Sequence, residues 1–424
     1  MIIKELQQQQ FDEFAKKQER THFMQSYPWG EVNKKRGYLV HHLGFFNEDK
    51  LCATALLLEK KVLKWSTFYC PRGPIANYQD NADLTAVISG LKQYVKNHHG
   101  LYLKLDPDLI IHKLDKDGNI IEDYPENLAV IAKLKDLGGK HKGFTTNFID
   151  TANPRFTFRV NVNRSEEELL SSFHNTTRKI LKDNNPNGLI LKKGDSSDIT
   201  AFYEVMKETA IRKKMYVEDE KFFRDFYETL HAFDMSDIYL AAVDINKLKD
   251  IYNRKKEEIA REEEAVSARP DGKKKENRLK ELENKKNRLL KDLEQISNIK
   301  DDYLVLSAII TAKHNDKVWT IHGGNRDDLM FLNANYELYY HILKDASREG
   351  FKEVDFFGSE GVVDKTSPIY GIYLFKMRFG GDFDEFIGEF DFITRPLTNF
   401  FISLLLRIRR RIRYYHSLEK QTCK

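Results

Sequence analysis

The stretch KVWTIHGG, Lys317–Gly324, is a β-branched and aromatic run that stops at a glycine pair, and its reading decides the fold. The segment behind it, NANYELYYHILKDASREG (333–350), has the apolar spacing of an amphipathic helix and ends at Gly350. FKEVDFFGSE (351–360) returns as a short strand with Asp355 near its end. Strand, helix and strand in this order make an α/β unit. The same order occurs much earlier. FYCPRGPI (68–75) is a strand entering a Pro-Gly turn, and LYLKLDPDL (101–109) is a strand broken at Pro107. Between them NADLTAVISGLKQYVKNHHG (81–100) reads as an amphipathic helix, with Asn81 or Asp83 as its cap and Gly100 at its end. Gly73 to Gly100 is 27 positions, Gly324 to Gly350 is 26, and an acid follows in each copy, Asp106 and Asp355. Two diverged α/β units are expected, although this arrangement is also common without duplication. VHHLGFF and LCATALLLEKKV add strands to the first unit.

Length and composition agree with more than one core. The chain has 424 residues, 41% apolar, with 28 Phe and 20 Tyr, which suggests two or three domains. A net charge of +4 is small, so only clustered basic residues point to a polyanion or a membrane. Cys52, Cys70 and Cys423 form no CxxC pair and leave one unpaired in any disulfide scheme, which fits a reducing cytoplasm and argues against structural zinc. MIIKELQQQQ lacks the apolar centre of a signal peptide, and no apolar run is long enough to span a bilayer. A cytoplasmic protein, soluble or peripherally attached, is the expectation.

Two segments stand apart. In residues 247–300, 29 of 54 are charged, 17 basic and 12 acidic. Leu279, Leu282, Leu289, Leu293 and Ile296 follow heptad spacing with Lys286 as the polar interruption, and Ile245, Leu248, Tyr252 and Ile259 do the same in the preceding arm. ARPDG (268–272) separates the arms, so an antiparallel coiled-coil hairpin is expected. The end of the chain, RPLTNFFISLLLRIRRRIRYYHS, wound as a helix from Pro396, places Leu397, Phe400, Phe401, Leu404, Leu405, Ile408 and Ile412 on one arc. Arg407, Arg409, Arg410 and Arg413 fall mainly opposite, the pattern of a helix lying on an anionic bilayer. A helix packed on the core is the other reading. The expected domains are 1–152, then 153–246 with 301–395, the hairpin 247–300 inserted in the second, and a tail 396–424.

Several chemistries lack their motifs. No GxxxxGK[ST] and no strand-linked GxGxxG is present. There is no HExxH, and the pairs His41/His42 and His98/His99 lack a spaced carboxylate partner, so no metal is expected. No GxSxG is present. A reaction that relies on positioning and electrostatics remains. YLFKMRFGG (373–381) sets Lys376 within an aromatic run; in isolation this is a lysine on the polar side of a strand.

SYPWGEVNKKRGY, FYCPRGPI, LKLDPDL, EDYPENLAVIAKLKDLGGKHKG, NPRFTF, RKILKDNNPNGL, the coiled-coil insertion, YGIYLFKMRFGG and IGEFD occur in that order over almost the whole chain. Together they resemble the Fem family of aminoacyl-tRNA-dependent transferases, which build the cross-bridge on peptidoglycan stem peptides. YPENLA points to the MurM/MurN type. The resemblance implies an α/β fold of two acetyltransferase-like (GNAT) domains with the hairpin in the second. It implies a donor, aminoacyl-tRNA carrying Ala, Ser or Gly, and an acceptor, a peptidoglycan precursor. The lipid-linked disaccharide-pentapeptide at the inner membrane face is the expected form, with the tail on the anionic surface. No cofactor is implied.

The resemblance also assigns residues. Lys376 takes the aromatic–Lys position that faces the tRNA acceptor end and the tetrahedral intermediate, with Phe375 giving backbone contact beside it. Asp106 takes the place of the family's acid, as base or positioning group; a turn-capping Asp is the alternative. Trp29 with Lys34 and Lys35 matches the region for the precursor's phosphates and sugar, although the usual lysine four after the Trp is Asn33 here. Arg72 and Gly73 lie at the mouth of the same domain, Arg72 with a plain surface charge as its alternative. Glu218 and Phe222 stand where some relatives have an Arg and a Tyr that contact the nucleotide precursor, so that contact is not carried over. His322 stands where relatives tend to have Tyr, and it is taken as substrate-binding with its role open. Two other readings exist. One is an acyl-CoA-dependent GNAT enzyme, for which RFGGDF satisfies only the first glycine of the pyrophosphate turn. The other is a non-enzymatic RNA-binding coiled-coil adaptor.

Overall fold

Both α/β units are present in the computed structural model, which describes residues 1–147, 151–183, 188–367 and 369–405. The chain divides into two units, the first 1–159 with 357–374 and 382 onward, the second 160–356 with 375–381. The first begins with β1 (Ile2–Glu5), α1 (Gln8–Lys16), α2 (Tyr27–Lys35), β2 (Leu39–Asn47), β3 (Lys50–Val62) and β4 (Trp65–Cys70). β1 to β4 form an antiparallel meander. Ala53–Glu59 of β3 are buried without alternation, as on a strand covered on both faces. α3 (Asn81–Asn97) then crosses over, and β5 (Gly100–Leu105) lies parallel to β4. Leu84, Val87, Ile88, Leu91 and Val95 recur at helical spacing and pack α3 against Phe45, Leu103 and Leu105 of the sheet. The cap of α3 is Asp80, one residue before Asn81 and three before Asp83, the two expected candidates. Its carboxylate accepts from the amides of Ala82 at 2.9 Å and Asp83 at 3.0 Å. Asp83 sits in the first turn and favours the helix only through the dipole. β6 (Ile110–Leu114), β7 (Ile120–Asp123), α4 (Pro125–Asp136), β8 (Lys140–His141) and β9 (Phe156–Asn161) follow.

The second unit runs through α5 (Glu166–Ser172), α6 (Asn175–Asp183), β10 (Leu189–Gly194), α7 (Ile199–Lys213), α8 (Glu220–His231) and β11 (Ile238–Asp244). α9 (Ile245–Ser267) and α10 (Lys273–Asn298) are the expected hairpin, closed by Leu248, Tyr252, Val266, Leu282, Leu289 and Ile296. Lys286, the polar interruption of the seam, donates to Glu263 of the other arm at 2.7 Å. β12 (Tyr303–His314) and β13 (Lys317–Asn325) pair antiparallel; α11 (Ala334–Arg348) crosses over and β14 (Glu353–Asp355) lies parallel to β13.

Two elements differ from expectation. YLFKMRFGG is no strand: α12 (Tyr370–Met377) is a helix, because Tyr373, Lys376 and Phe379 are all buried at a spacing of three that no strand provides. β15 (Asp382–Phe386) and β16 (Phe390–Ile393) belong to the first unit, not the second domain. Phe390 and Phe392 alternate inward, and β16 completes the sheet order β1-β2-β3-β4-β5-β16-β8 by pairing Phe390 with Leu105. β15 pairs with β6 and β9. Residues 153–159 and 357–374 join the first unit as well.

The cap assignment is testable by urea unfolding. Asp80→Ala is expected to cost about 1 kcal/mol, as loss of a side-chain N-cap does. Asp83→Ala should cost a few tenths, through the dipole alone. Equal losses would remove Asp80 from the capping role.

Candidate active site

In the first unit the parallel strands end at Cys70 and Leu105, and the next residues form a buried polar cluster. Asp106 is 3% exposed. Its Oδ1 accepts from the Arg72 amide at 2.8 Å, and its Oδ2 from Tyr69 Oη at 3.0 Å and Asn153 Nδ2 at 2.8 Å. Burial pushes its carboxyl up to about 6, against the lowering effect of Arg72 and these donors. Arg72 is no surface charge. It is 6% exposed, its Nη2 donates to Pro154 O at 2.6 Å, and its guanidinium lies 4.2 Å from the Phe386 ring centroid. Its backbone is left-handed, at φ 52°. Gly73 is needed for space, since a Cβ there would stand 2.5 Å from the Gln25 side chain. Gln25 in turn donates to Pro71 O at 2.6 Å. Tyr69 and Asn153 were not singled out from the sequence, although both lie in or beside the motifs FYCPRGPI and NPRFTF.

Nearby, α2 starts at Ser26, whose hydroxyl accepts from the Trp29 amide. Trp29 and Asn33 are both buried, and Asn33 Nδ2 donates to Trp29 O at 2.9 Å. Asn33 thus occupies the family's lysine position on Trp29's own face. Lys34 and Lys35, five and six residues after Trp29, turn to solvent, and Lys34 pairs with Glu31 at 2.6 Å and lies over the Tyr27 ring. The histidines acquire carboxylates from distant strands: His41 Nε2 is 2.8 Å from Glu59 and its Nδ1 3.4 Å from Glu5. These contacts raise His41 against its burial.

The second unit repeats the geometry with a different cation. Asp355 ends β14 and is 2% exposed. Lys376 is 7% exposed, and its Nζ donates to Phe356 O at 2.7 Å. Burial pushes its ammonium down to about 8, with the Asp355 charge opposing. Tyr336, Tyr339 and Phe379 pack around Phe375 at centroid separations of 4.8, 4.9 and 5.2 Å, and Phe356 closes against Tyr339 and Phe379. α12 stops at Gly380, φ 68°, where a Cβ would meet Ser172 O at 2.1 Å. His322, on β13, meets the edges of Phe222, Phe223 and Phe226 at 5.6, 5.2 and 5.0 Å. Glu218 accepts from Tyr216 Oη at 2.9 Å. In the second unit a dry cation thus lies beside the end of the crossover, an arrangement suited to stabilising developing negative charge.

The Asp106 environment predicts a pH dependence. Its carboxyl is higher in the folded chain than the ordinary 3.8, so its stabilising contribution is full below that value and is lost as pH rises through about 6. The loss is at most about 3 kcal/mol. Urea unfolding of Asp106→Asn should therefore show less decline between about pH 4 and 7 than unfolding of the parent. Parallel pH profiles would overturn this account of the burial.

Known proteins share this architecture over nearly the full chain. The solved structure of FemX superposes with a TM-score of 0.75 at 25% identity, covering 95% of this chain and 100% of that one. The lipid II:glycine glycyltransferase of Staphylococcus aureus is 28% identical over 401 residues, and that of Staphylococcus epidermidis 26% over 396, each alignment covering 92% of both chains. These matches agree with the expected fold of two acetyltransferase-like units. The FemAB family profile matches residues 6–407, and the chain belongs to the FemAB family.

Proposed function

We propose that this protein transfers an amino acid from aminoacyl-tRNA to the stem peptide of a lipid-linked peptidoglycan precursor, extending the interpeptide bridge. The observation that carries the reading is Lys376, a buried cation at the end of the second crossover in a chain of this family. The relatives named lipid II:glycine glycyltransferase support the lipid-linked acceptor. Glycine is one of three small residues, with alanine and serine, that fit the donor.

In this reaction a neutral amine of the acceptor attacks the ester carbonyl of the donor. The C–N bond forms, the C–O bond to the terminal ribose breaks, and the amine proton ends on the departing ribose oxygen. Lys376 meets the oxyanion of the tetrahedral intermediate, where a charge in a water-poor site acts far more strongly than in solvent. Asp106 acts as a positioning residue: its oxygens accept from Arg72, Tyr69 and Asn153, so it shapes the first unit's site. Trp29, Arg72 and Gly73 line the acceptor side; Phe375 and His322 belong to the donor side. The basic excess of the hairpin adds attraction for tRNA. The acyl-CoA reading finds less support, because after Gly380 and Gly381 the chain enters β15 and no helix starts there to take a pyrophosphate.

Radiolabelled transfer to the precursor from charged tRNA, and none from acetyl-CoA, is the expected result; the reverse would overturn the proposal. Lys376→Met should lower single-turnover transfer by on the order of 10²–10³-fold with an unchanged circular dichroism spectrum. Near-normal transfer would return Lys376 to a structural role.

Attachment to the inner membrane face belongs to the same proposal. Of the apolar arc, Ile408 and Ile412, with the arginines 407–413, lie outside the described residues. Within 396–405, Leu397, Phe400, Phe401, Leu404 and Leu405 are exposed and Ile402 is buried. Replacing Phe400, Phe401 and Leu404 by Ser keeps the Ile402 anchor. This variant should lose salt-sensitive binding to anionic vesicles and turn over the lipid-linked substrate less well than a soluble analogue. Equal loss on both substrates would make the helix a part of the core.

A further inference from the structure

Helix α6 turns a cationic face to solvent. Thr177 and Leu181 are its buried side, and Arg178, Lys179 and Lys182 are exposed. Among the described residues no carboxylate pairs with any of the three; Arg178 donates to the Asn175 side chain and to Ser171 O. Some exposed cations on other helices of this unit do meet acids one turn away, as in Lys221–Asp225, Arg224–Glu220 and Lys285–Glu281. Exposed side by side, these cations of α6 can meet an external anion.

The position of this face is fixed by the lysine site. Arg378, two residues beyond Lys376, accepts at its backbone carbonyl from the His174 amide at 2.9 Å and from Thr177 Oγ1 at 3.1 Å. The first turn of α6 is therefore bolted to the end of α12. The Arg378 side chain adds a further cation: its Nε is buried without a hydrogen-bond partner, and its Nη1 reaches Tyr336 Oη only at 3.5 Å. Gly380 holds the same segment against the end of α5, where no side chain would fit.

We infer that the exposed face of α6, with Arg378 behind it, is the track for the last phosphodiesters of the RNA strand that carries the aminoacyl group to Lys376. This rests on the aminoacyl-tRNA donor proposed above. A nucleic acid fits better than a bilayer, because α6 exposes no large apolar side chain of the kind an interfacial helix inserts, whereas 396–405 exposes five. Spaced point charges without apolar neighbours match phosphates along a strand.

The test uses the full chain and an acceptor-stem RNA hairpin with a single-stranded 3′ end. Arg178→Gln, Lys179→Gln and Lys182→Gln, combined, alter exposed residues only, and circular dichroism checks the fold. Three lost contacts to a single strand should flatten the slope of log K against log salt by about 2. Arg378→Gln should weaken binding of the same RNA, and neither variant should alter binding of a blunt hairpin lacking the 3′ strand. Failure of the parent protein to bind the RNA at low salt would overturn the donor assignment itself. Parent binding with an unchanged slope in the triple variant would overturn the track alone. Loss of phosphatidylglycerol-vesicle binding with RNA binding intact would also overturn it, assigning the face to lipid.

Discussion

Asp106 brings a carboxylate to a place almost closed to water, and a buried charge without partners costs several kcal/mol. Its three donors come from separate pieces of chain: the Arg72 amide from the turn after β4, the Tyr69 hydroxyl from β4, and the Asn153 amide from the approach to β9. Satisfying the acid therefore fixes all three segments at once. The left-handed backbone at Arg72 follows, because only that turn aims its N–H at Oδ1, and with the turn set the guanidinium is delivered to Pro154 O and the Phe386 ring. One carboxylate thus fixes three separate segments of the first unit through its hydrogen bonds.

The second unit has the same topological position and reaches a different balance. Asp355 is as buried as Asp106, but the cation beside it is an ammonium from α12, held by a backbone carbonyl. Burial outweighs the carboxylate, and Lys376 is pushed down to about 8. At neutral pH such a lysine is still largely protonated, yet it gives up its hydration cheaply because it has already lost most of it. Its field acts through aromatic rings rather than water, so it is screened far less than that of a surface lysine.

How much of this was legible depends on the range over which each feature is encoded. The α/β units could be read because strand, helix and terminal glycine follow one another within each copy, and the hairpin because its heptads are local. α12 could not, since Tyr, Leu and Phe in a row favour a strand and only tertiary burial at Tyr373, Lys376 and Phe379 selects the helix. The placement of β15 and β16 in the first unit depends on partners nearly three hundred positions away, such as Leu105 for Phe390, which no local pattern reveals. The same holds for Glu5 and Glu59 against His41, and for Asn153 against Asp106. Helical geometry, which sequence alone gives only in outline, sets Asn33 against Trp29 and turns Lys34 and Lys35 to solvent.

The helix at 396–405 inverts the usual logic of a docked terminal segment. A helix anchored to a core by one side presents polar residues on the other, because water is there. Here the anchor is a single Ile402, and the opposite arc carries Leu397, Phe400, Phe401, Leu404 and Leu405, between 44% and 78% exposed. Five large apolar side chains clustered on one arc exceed what scattered surface exposure accounts for. The helix is thus apolar on both sides of its axis, a distribution that water alone does not stabilise, and burying the outer arc would contribute roughly 1.5–3 kcal/mol per fully covered side chain. A cover of apolar character, whether a protein surface or the interface of a bilayer, would turn the feature that is costly in solution into a source of binding energy.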